Sequence, residues 1–251
     1  MKVDILAFAA HPDDVEISCS GTIIKHINMG YKVVIVDLTQ GELGTRGSAE
    51  TRKIESIKAS SILGIHKREN LKMEDCFFES SETNKKKIIS IIRKYQPKII
   101  LANSIKDRHP DHAKASSIVS EACFLSGLPK IITKLDNQSQ DSWRPDAIYH
   151  YIQDLYIEPD FIVDVSEQLE HKIKAIKAFK TQFYNPKSTE PETPISGEEF
   201  LDFVIARARN FGRLIKSEYA EGFTVEVPLK IKDLIKSCLL YTSDAADDWF
   251  C

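Results

Sequence analysis

No apolar run in this sequence approaches the ~20 residues that a membrane-spanning helix needs, so no membrane span is expected. Cysteine is sparse and scattered. Cys19, Cys76, Cys123, Cys238 and Cys251 include no C-x-x-C pair, which argues against a disulfide framework or a thiolate zinc site and for free thiols in a reducing cytosol. An excess of positive charge is also missing. Lys and Arg total 34 against 37 Asp and Glu, a net charge of −3, so nucleic acid is not an expected partner. The single basic run, Lys85-Lys86-Lys87, falls in a helical pattern and reads as a solvated face. The N-terminus lacks the features of a signal peptide: Asp4 interrupts it and its apolar stretch is short. The expected location is cytoplasmic. There is no internal repeat and no clear interdomain linker.

What is present is alternation. A chain of 251 residues with 42% hydrophobic content can build one sizeable core. Strand-like segments at residues 3–9, 32–38, 70–73 and 98–102 alternate with helix-like segments at 17–29, 49–63, 83–95 and 111–126. Gly30 and Gly64 stand where helices should end. Two further strands are expected at 147–153 and 161–165, and amphipathic helices at 172–183 and 198–216. Residues 185–197, with Pro186, Pro191 and Pro194, read as a loop. The expected fold is a single Rossmann-like α/β domain, a mostly parallel sheet flanked by helices, over residues 1–236. Residues 237–251 contain no Lys or Arg but three Asp, two Cys and a Trp. They read as a disordered or non-native tail.

Two short clusters carry the chemistry. Ala10-His11-Pro12-Asp13-Asp14-Val15-Glu16 follows the first expected strand, and Arg108-His109-Pro110-Asp111-His112 follows the fourth. Strand C-terminal ends are where open α/β sheets keep their sites. Two such ends can supply one metal site. Hydrolytic zinc takes three N/O ligands and keeps one open position; His11, Asp14 and His112 can form that set. Asp13 can then act as a base. Of His109 and His112, one can ligate while the other reaches substrate, with Asp111 orienting His109. Each cluster alone also has a plain explanation, a turn in which Asp14 or Asp111 merely caps a helix. The pairing of both clusters at strand ends is what favours a site. A structural metal would favour four closed, Cys-rich ligands.

Other features are weaker. The stretch Gly41–Gly47 does not match G-x-G-x-x-G, so dinucleotide binding is not expected. Arg52 can contact a substrate oxygen or simply lie on a helix surface. Arg46 and Arg108 can bind an acidic substrate group or hold their loops through salt bridges. His26, His66, His150 and His171 have no partner pattern and read as structural or exposed.

Residues 10–16, the stretch T-x-G-E-x-G-T-R-G-S-x-E-T-R from Thr39 to Arg52, and His109-Pro110-Asp111-His112 together resemble the zinc-dependent LmbE-like, or PIG-L-type, N-deacetylases. The resemblance spans most of residues 1–225. Within that family it is most similar to the bacillithiol biosynthesis deacetylases, which act on N-acetylglucosaminyl malate. It implies a Zn²⁺ or Fe²⁺ cofactor on His11, Asp14 and His112, with Asp13 as general base. It implies His109, with Asp111 behind it, as oxyanion stabiliser or proton donor. Arg52 matches a substrate-contacting arginine and Tyr184 a mobile tyrosine near the site. It also implies a small amino-sugar substrate and a homo-oligomer, a hexamer among the forms its members take. The turn Ser18-Cys19-Ser20-Gly21 departs from the Gly- and Met-rich turn common there.

The expected function is therefore metal-dependent removal of an N-acetyl group from an N-acetylglucosamine conjugate. A broader amino-sugar deacetylase acting on chitooligosaccharides, a metal phosphoesterase on the same fold, and a non-catalytic sugar- or metal-binding protein remain as rivals. A base beside a complete ligand set weighs against the last.

Overall fold

The computed structural model describes residues 1–231 and residue 233; the expected tail and the boundary at residue 236 lie outside them. In chain order the first strand, β1 (Ile5–Ala9), leads into α1 (Asp14–Ser18), α2 (Ser20–Asn28) and β2 (Val33–Thr39). Then follow α3 (Ala49–Leu63), β3 (Lys67–Met73), α4 (Glu82–Tyr95), β4 (Ile99–Ala102) and α5 (Pro110–Ser126). The second half adds a short hairpin, β5 (Lys134–Leu135) and β6 (Gln138–Ser139), then β7 (Ala147–Tyr151), β8 (Phe161–Asp164), α6 (Leu169–Ile176), α7 (Phe200–Leu214) and β9 (Ala220–Val225).

The main sheet has seven strands in the order β3-β2-β1-β4-β7-β9-β8. Every residue of β1 and β2 is buried, as expected of strands covered on both faces. β1 pairs in parallel with β2 through Ile5↔Val33 and with β4 through Ile5↔Ile99. β3 and β7 extend the parallel set, while β9 runs antiparallel to both β7 and β8. One core lies under α4 and α5 and includes Phe8, Ile88, Ile92 and Val119. The other lies under α2 and α6 and includes Ile5, Ile23, Val33 and Ala175.

The chain leaves β1 towards β2 and β3, then returns to β4 on the other side. The crevice between the C-terminal ends of β1 and β4 is thus a topological switch point, the position where such sheets bind ligands. Both histidine clusters sit there.

Several expectations shift. The helix expected at 17–29 starts earlier, at Asp14, and breaks at Cys19 (φ −133°, ψ 15°). The break has a partner: the N–H groups of Gly21 and Thr22 donate to the Glu221 carboxylate at 2.9 and 2.7 Å. The helix expected at 172–183 is α6, which ends at Ile176. Beyond it, Thr181 is drawn away by Glu55, whose carboxylate accepts from its backbone N–H at 2.8 Å and its hydroxyl at 2.7 Å. β9 and the β5–β6 hairpin were not expected. β9 carries Glu221 and Gly222 near its start, a poor strand pattern on sequence grounds. Helix α3 matches its expected bounds. Ser48 and Thr51 form its capping box, and Gly64 closes it with a left-handed backbone (φ 72°).

Candidate active site and metal centre

The strand ends deliver His11, Asp13, Asp14, His109 and His112 into one cleft of about 250 Å³. His11 follows β1. Its backbone N–H donates to Asp14 Oδ2 at 2.9 Å, which folds the turn back so that Asp14 faces the same space. Asn103, at the end of β4, fastens the turn to the neighbouring strand: its Oδ1 accepts from Ala10 N at 2.9 Å and its Nδ2 donates to Asp14 Oδ2 at 3.0 Å. Gln153, beyond β7, donates to Asp14 Oδ1 at 2.7 Å.

The ring nitrogens divide their partners. His11 Nε2 lies 3.1 Å from Asp75 Oδ1 and 3.3 Å from Asp111 Oδ2. Its Nδ1 lies 3.7 Å from Asp14 Oδ2. His112 Nδ1 lies 2.5 Å from Asp107 Oδ2, and its Nε2 lies 3.2 Å from Asp14 Oδ1. Each imidazole thus has a carboxylate behind it and its other nitrogen towards Asp14. That is how metal-binding histidines are commonly oriented. Two ligands of one tetrahedral zinc sit about 3.3 Å apart, near the separations around Asp14. Among the described residues, the groupings whose ligand atoms all lie within 4.8 Å of one another are His11 with His109 and His112, and His11 with Asp75 and Asp111, neither of which includes Asp14. The second grouping would use the His11 nitrogen already backed by carboxylates.

Protonation follows from burial and charge. Burial opposes a charge on His11, but Asp111, Asp14 and Asp75 raise its pKa well above the usual imidazole value. Burial likewise opposes His112, yet Asp14 and Asp107 push it up to about 9. Burial would raise Asp14, but His112 and His11 hold it well below the carboxylate range. Without metal both imidazoles therefore favour the cationic form, which adds two protons to the neutral pair. A divalent ion on the same atoms replaces them charge for charge, and the N/O donor set suits zinc or ferrous iron.

Asp13 stands apart from this web. It occupies the N-cap position of α1 but makes no capping hydrogen bond, and its backbone is at φ 121°. Its Oδ2 is buried without a hydrogen-bond partner among the described residues. Burial pushes its pKa up to about 7, against the pull of Arg52. His109 is the N-cap of α5: its Nδ1 accepts from Asp111 N at 3.2 Å, which leaves the ring proton on Nε2. Burial and the neighbouring His11 and His112 push its pKa down to about 4, so at neutral pH it is an uncharged donor. Asp111 was expected to orient His109. Its carboxylate instead faces His11, accepts from Cys76 N at 2.9 Å and meets Lys114 Nζ at 3.1 Å.

The cleft is rimmed by arginines. Arg52 is buried beneath the Gly41 turn and donates to Gln182 Oε1. A Cβ on Gly41 (φ 63°) would displace its guanidinium, so this turn favours glycine. Arg46 donates to Ser188 Oγ at 2.6 Å, with its Nε 3.9 Å from Glu190. Arg108 pairs with Asp154 at 2.6 Å. Tyr184 is exposed and is not among the cleft's lining residues. A larger cavity of about 940 Å³, between α5, β7 and residues 226–230, lies away from the histidine clusters.

Residues 6–123 match the family model described as PIG-L: GlcNAc-PI de-N-acetylase. The chain is 30% identical over 233 residues to a diacetylchitobiose deacetylase of Thermococcus kodakarensis, covering 87% of this chain and 81% of that protein. The chain belongs to the PIG-L family. Its structure superposes on the conserved protein TT1542 from Thermus thermophilus with a TM-score of 0.80, at 30% identity over 91% of this chain and 97% of that one. It is also 26% identical, over 72% of its length and 84% of the relative's, to a probable N-acetyl-alpha-D-glucosaminyl L-malate deacetylase 2 of Bacillus cereus.

In this PIG-L protein the structure adds residues that sequence reasoning missed: Asp75, Asn103, Asp107, Gln153, Gln182 and Arg207. Asp107 adjoined a recognised cluster, two residues before His109, and Gln182 lies two residues before Tyr184. The others come from separate elements and carry no local spacing signal.

Proposed function

We propose that this protein is a metal-dependent N-deacetylase that hydrolyses the acetamide of an N-acetylglucosamine conjugate. The observation that carries the reading is Asp13: a buried carboxylate with an unpartnered oxygen, beside His11, Asp14 and His112. His11, Asp14 and His112 would hold the metal, zinc or ferrous iron. When bound, such an ion supplies Lewis-acid polarisation of the acetamide carbonyl and acidifies water. Asp13 takes the proton of the attacking water as the new C–O bond forms. It passes that proton to the amine nitrogen as the C–N bond breaks, leaving acetic acid and the free amine, which exchange the remaining proton to give acetate and ammonium. His109 Nε2–H donates to the developing oxyanion as a neutral imidazole, a role commonly worth a few kcal/mol. Asp75, Asp111 and Asp107 hold the rings of His11 and His112.

For the conjugate, we propose N-acetylglucosaminyl malate, supported by the arginines around the cleft and the similarity to the Bacillus cereus protein. A second reading, N,N'-diacetylchitobiose, draws support from the higher identity to the Thermococcus protein and from the pairing of Arg108 with Asp154 and of Arg46 with Ser188. The free thiols Cys19, Cys76 and Cys123 support a reducing, cytoplasmic setting; among the described residues no helix is long and apolar enough to cross a membrane. Assembly as a homo-oligomer belongs to the same proposal. The test is acetate release by metal-loaded enzyme from the malate conjugate, N-acetylglucosamine and diacetylchitobiose. Release from the malate conjugate with the highest kcat/KM supports the first substrate, and preference for the disaccharide supports the second. No acetate from any of them, or phosphate release from a phosphoester instead, rejects the proposal.

A further inference from the structure

Arg207 is a cleft residue that the reaction above does not employ. It reaches the cleft wall from α7. Its Nη2 donates to the Ile17 carbonyl at 3.1 Å, and its guanidinium lies over the Phe203 ring, 5.4 Å from the centroid. Its Nη1 is buried and has no hydrogen-bond partner among the described residues. Among the described residues, no carboxylate comes within ion-pair distance of it. Arg46 Nε and Arg52 Nε are buried without a hydrogen-bond partner among them as well, but the other cleft arginines each engage a side chain: Arg108 has Asp154, Arg46 has Ser188 and Arg52 has Gln182. A buried donor left unpaired is costly, and a guanidinium donor can be satisfied only by an acceptor. Burial pulls its pKa down to about 10, so it remains a cation at neutral pH.

We propose that Arg207 is a carboxylate-recognising residue of this cleft, with its free Nη1 receiving an oxygen of the ligand. Guanidinium and carboxylate match in shape as well as charge. A dianionic phosphate fits less well, because it would meet more repulsion from Asp13, Asp14 and Asp154, which share the cleft, and because a planar carboxylate matches the guanidinium edge. Two carboxylates can reach this position in a deacetylase: an acidic group on the aglycone of the sugar, or the acetate product. The choice between them rests on the deacetylase reading; the recognition itself does not.

The test compares metal-loaded wild type with Arg207→Gln and Arg207→Lys. Substrates are N-acetylglucosaminyl malate and its dimethyl ester, with acetate as product inhibitor. Any direct binding of carboxylate to the metal is common to all variants and cancels in the comparison. If the aglycone is read, the ratio of kcat/KM for acid over ester falls at least ~10-fold in Arg207→Gln, mainly through KM, as loss of one charge-assisted contact implies. If acetate is read, its inhibition constant rises by a similar factor while that ratio stays put. Neither change in a folded variant overturns the proposal. Should the variants fail to fold, wild type alone decides: equal KM for acid and ester together with no inhibition by acetate overturns it. Should no substrate be hydrolysed, the deacetylase reading fails separately. Calorimetric titration of succinate into wild type and Arg207→Lys then judges Arg207, and equal affinity rejects it.

Discussion

Asp13 adopts φ 121°, outside even the left-handed helical region, where a non-glycine residue costs on the order of 1–3 kcal/mol. A helix cap would repay that cost, but the side chain does not cap α1. The strain instead aims one aspartate away from its neighbour: Asp14 turns to His11 and His112, and Asp13 keeps an unpartnered oxygen. Asp13→Asn is therefore expected to retain metal while turnover falls at least ~10²-fold. Asp14→Ala is expected to lose metal, as read by elemental analysis of the purified variants. Exchange of the two outcomes would reverse the assignment. The pH profile follows from the same burial. A carboxylate raised to about 7 is protonated, and useless as a base, below that pH. So kcat/KM should fall on the acid side with an apparent pKa near 7, and that limb should be absent from the residual rate of Asp13→Asn. An acid limb that persists unchanged in Asp13→Asn would remove Asp13 from the role. The aspartate pair was legible because all of it lies within seven consecutive residues. Asp75, which meets His11 at 3.1 Å, comes from the segment after β3 and has no motif around it.

The break between α1 and α2 shows how an element positions the site. Glu221 of β9 accepts from the first free N–H groups of α2 and from Lys172 Nζ of α6 at 2.6 Å, with both side chains almost wholly buried. Helix, strand and helix are thereby locked together behind the motif that carries Asp13 and Asp14. Glu16, the last residue of that motif, is tied in a similar way: Arg68 bridges it at 2.6 Å to Asp37 at 2.7 Å. Removing one partner of a buried pair strands the other charge, commonly at ~3–5 kcal/mol. Lys172→Met should lose about that much stability in urea unfolding, and pairing it with Glu221→Gln should recover part of the loss. An unchanged unfolding midpoint in Lys172→Met would mean that the pair holds nothing together. These ties explain which elements the sequence concealed. Parallel strands and α3 announce themselves by apolar runs and caps. β9, with a glutamate and a glycine near its start, is held by its ladders with β7 and β8, and Lys172 and the α2 N-terminus receive the buried glutamate.

Across the whole molecule, the topology brings residues about a hundred positions apart, His11 and His112, to one switch point between β1 and β4. That much could be inferred from two motifs at two strand ends. The ring of carboxylates behind the histidines could not, because it assembles from loops after different strands. Its consequence is a linkage between protons and metal. His112, raised to about 9 without metal, binds its proton more tightly folded than unfolded. The stability it lends is complete below the unfolded value near 6.5 and is lost as pH rises through about 9. Metal acts in the opposite sense, because ligation needs the neutral ring. Melting of metal-stripped protein should thus show this contribution declining from pH 6.5 to 9, while the gain in Tm on adding saturating zinc grows over the same range. A zinc-induced gain independent of pH would contradict the histidine assignment. The most direct test of the account is a titration of stripped protein with zinc, followed by acetate release from an N-acetylglucosamine conjugate. The account predicts no release without metal and a linear rise that ends at about one ion per chain, the capacity of one three-ligand site. Full activity in the stripped protein, or a rise that continues to two ions per chain, would contradict it.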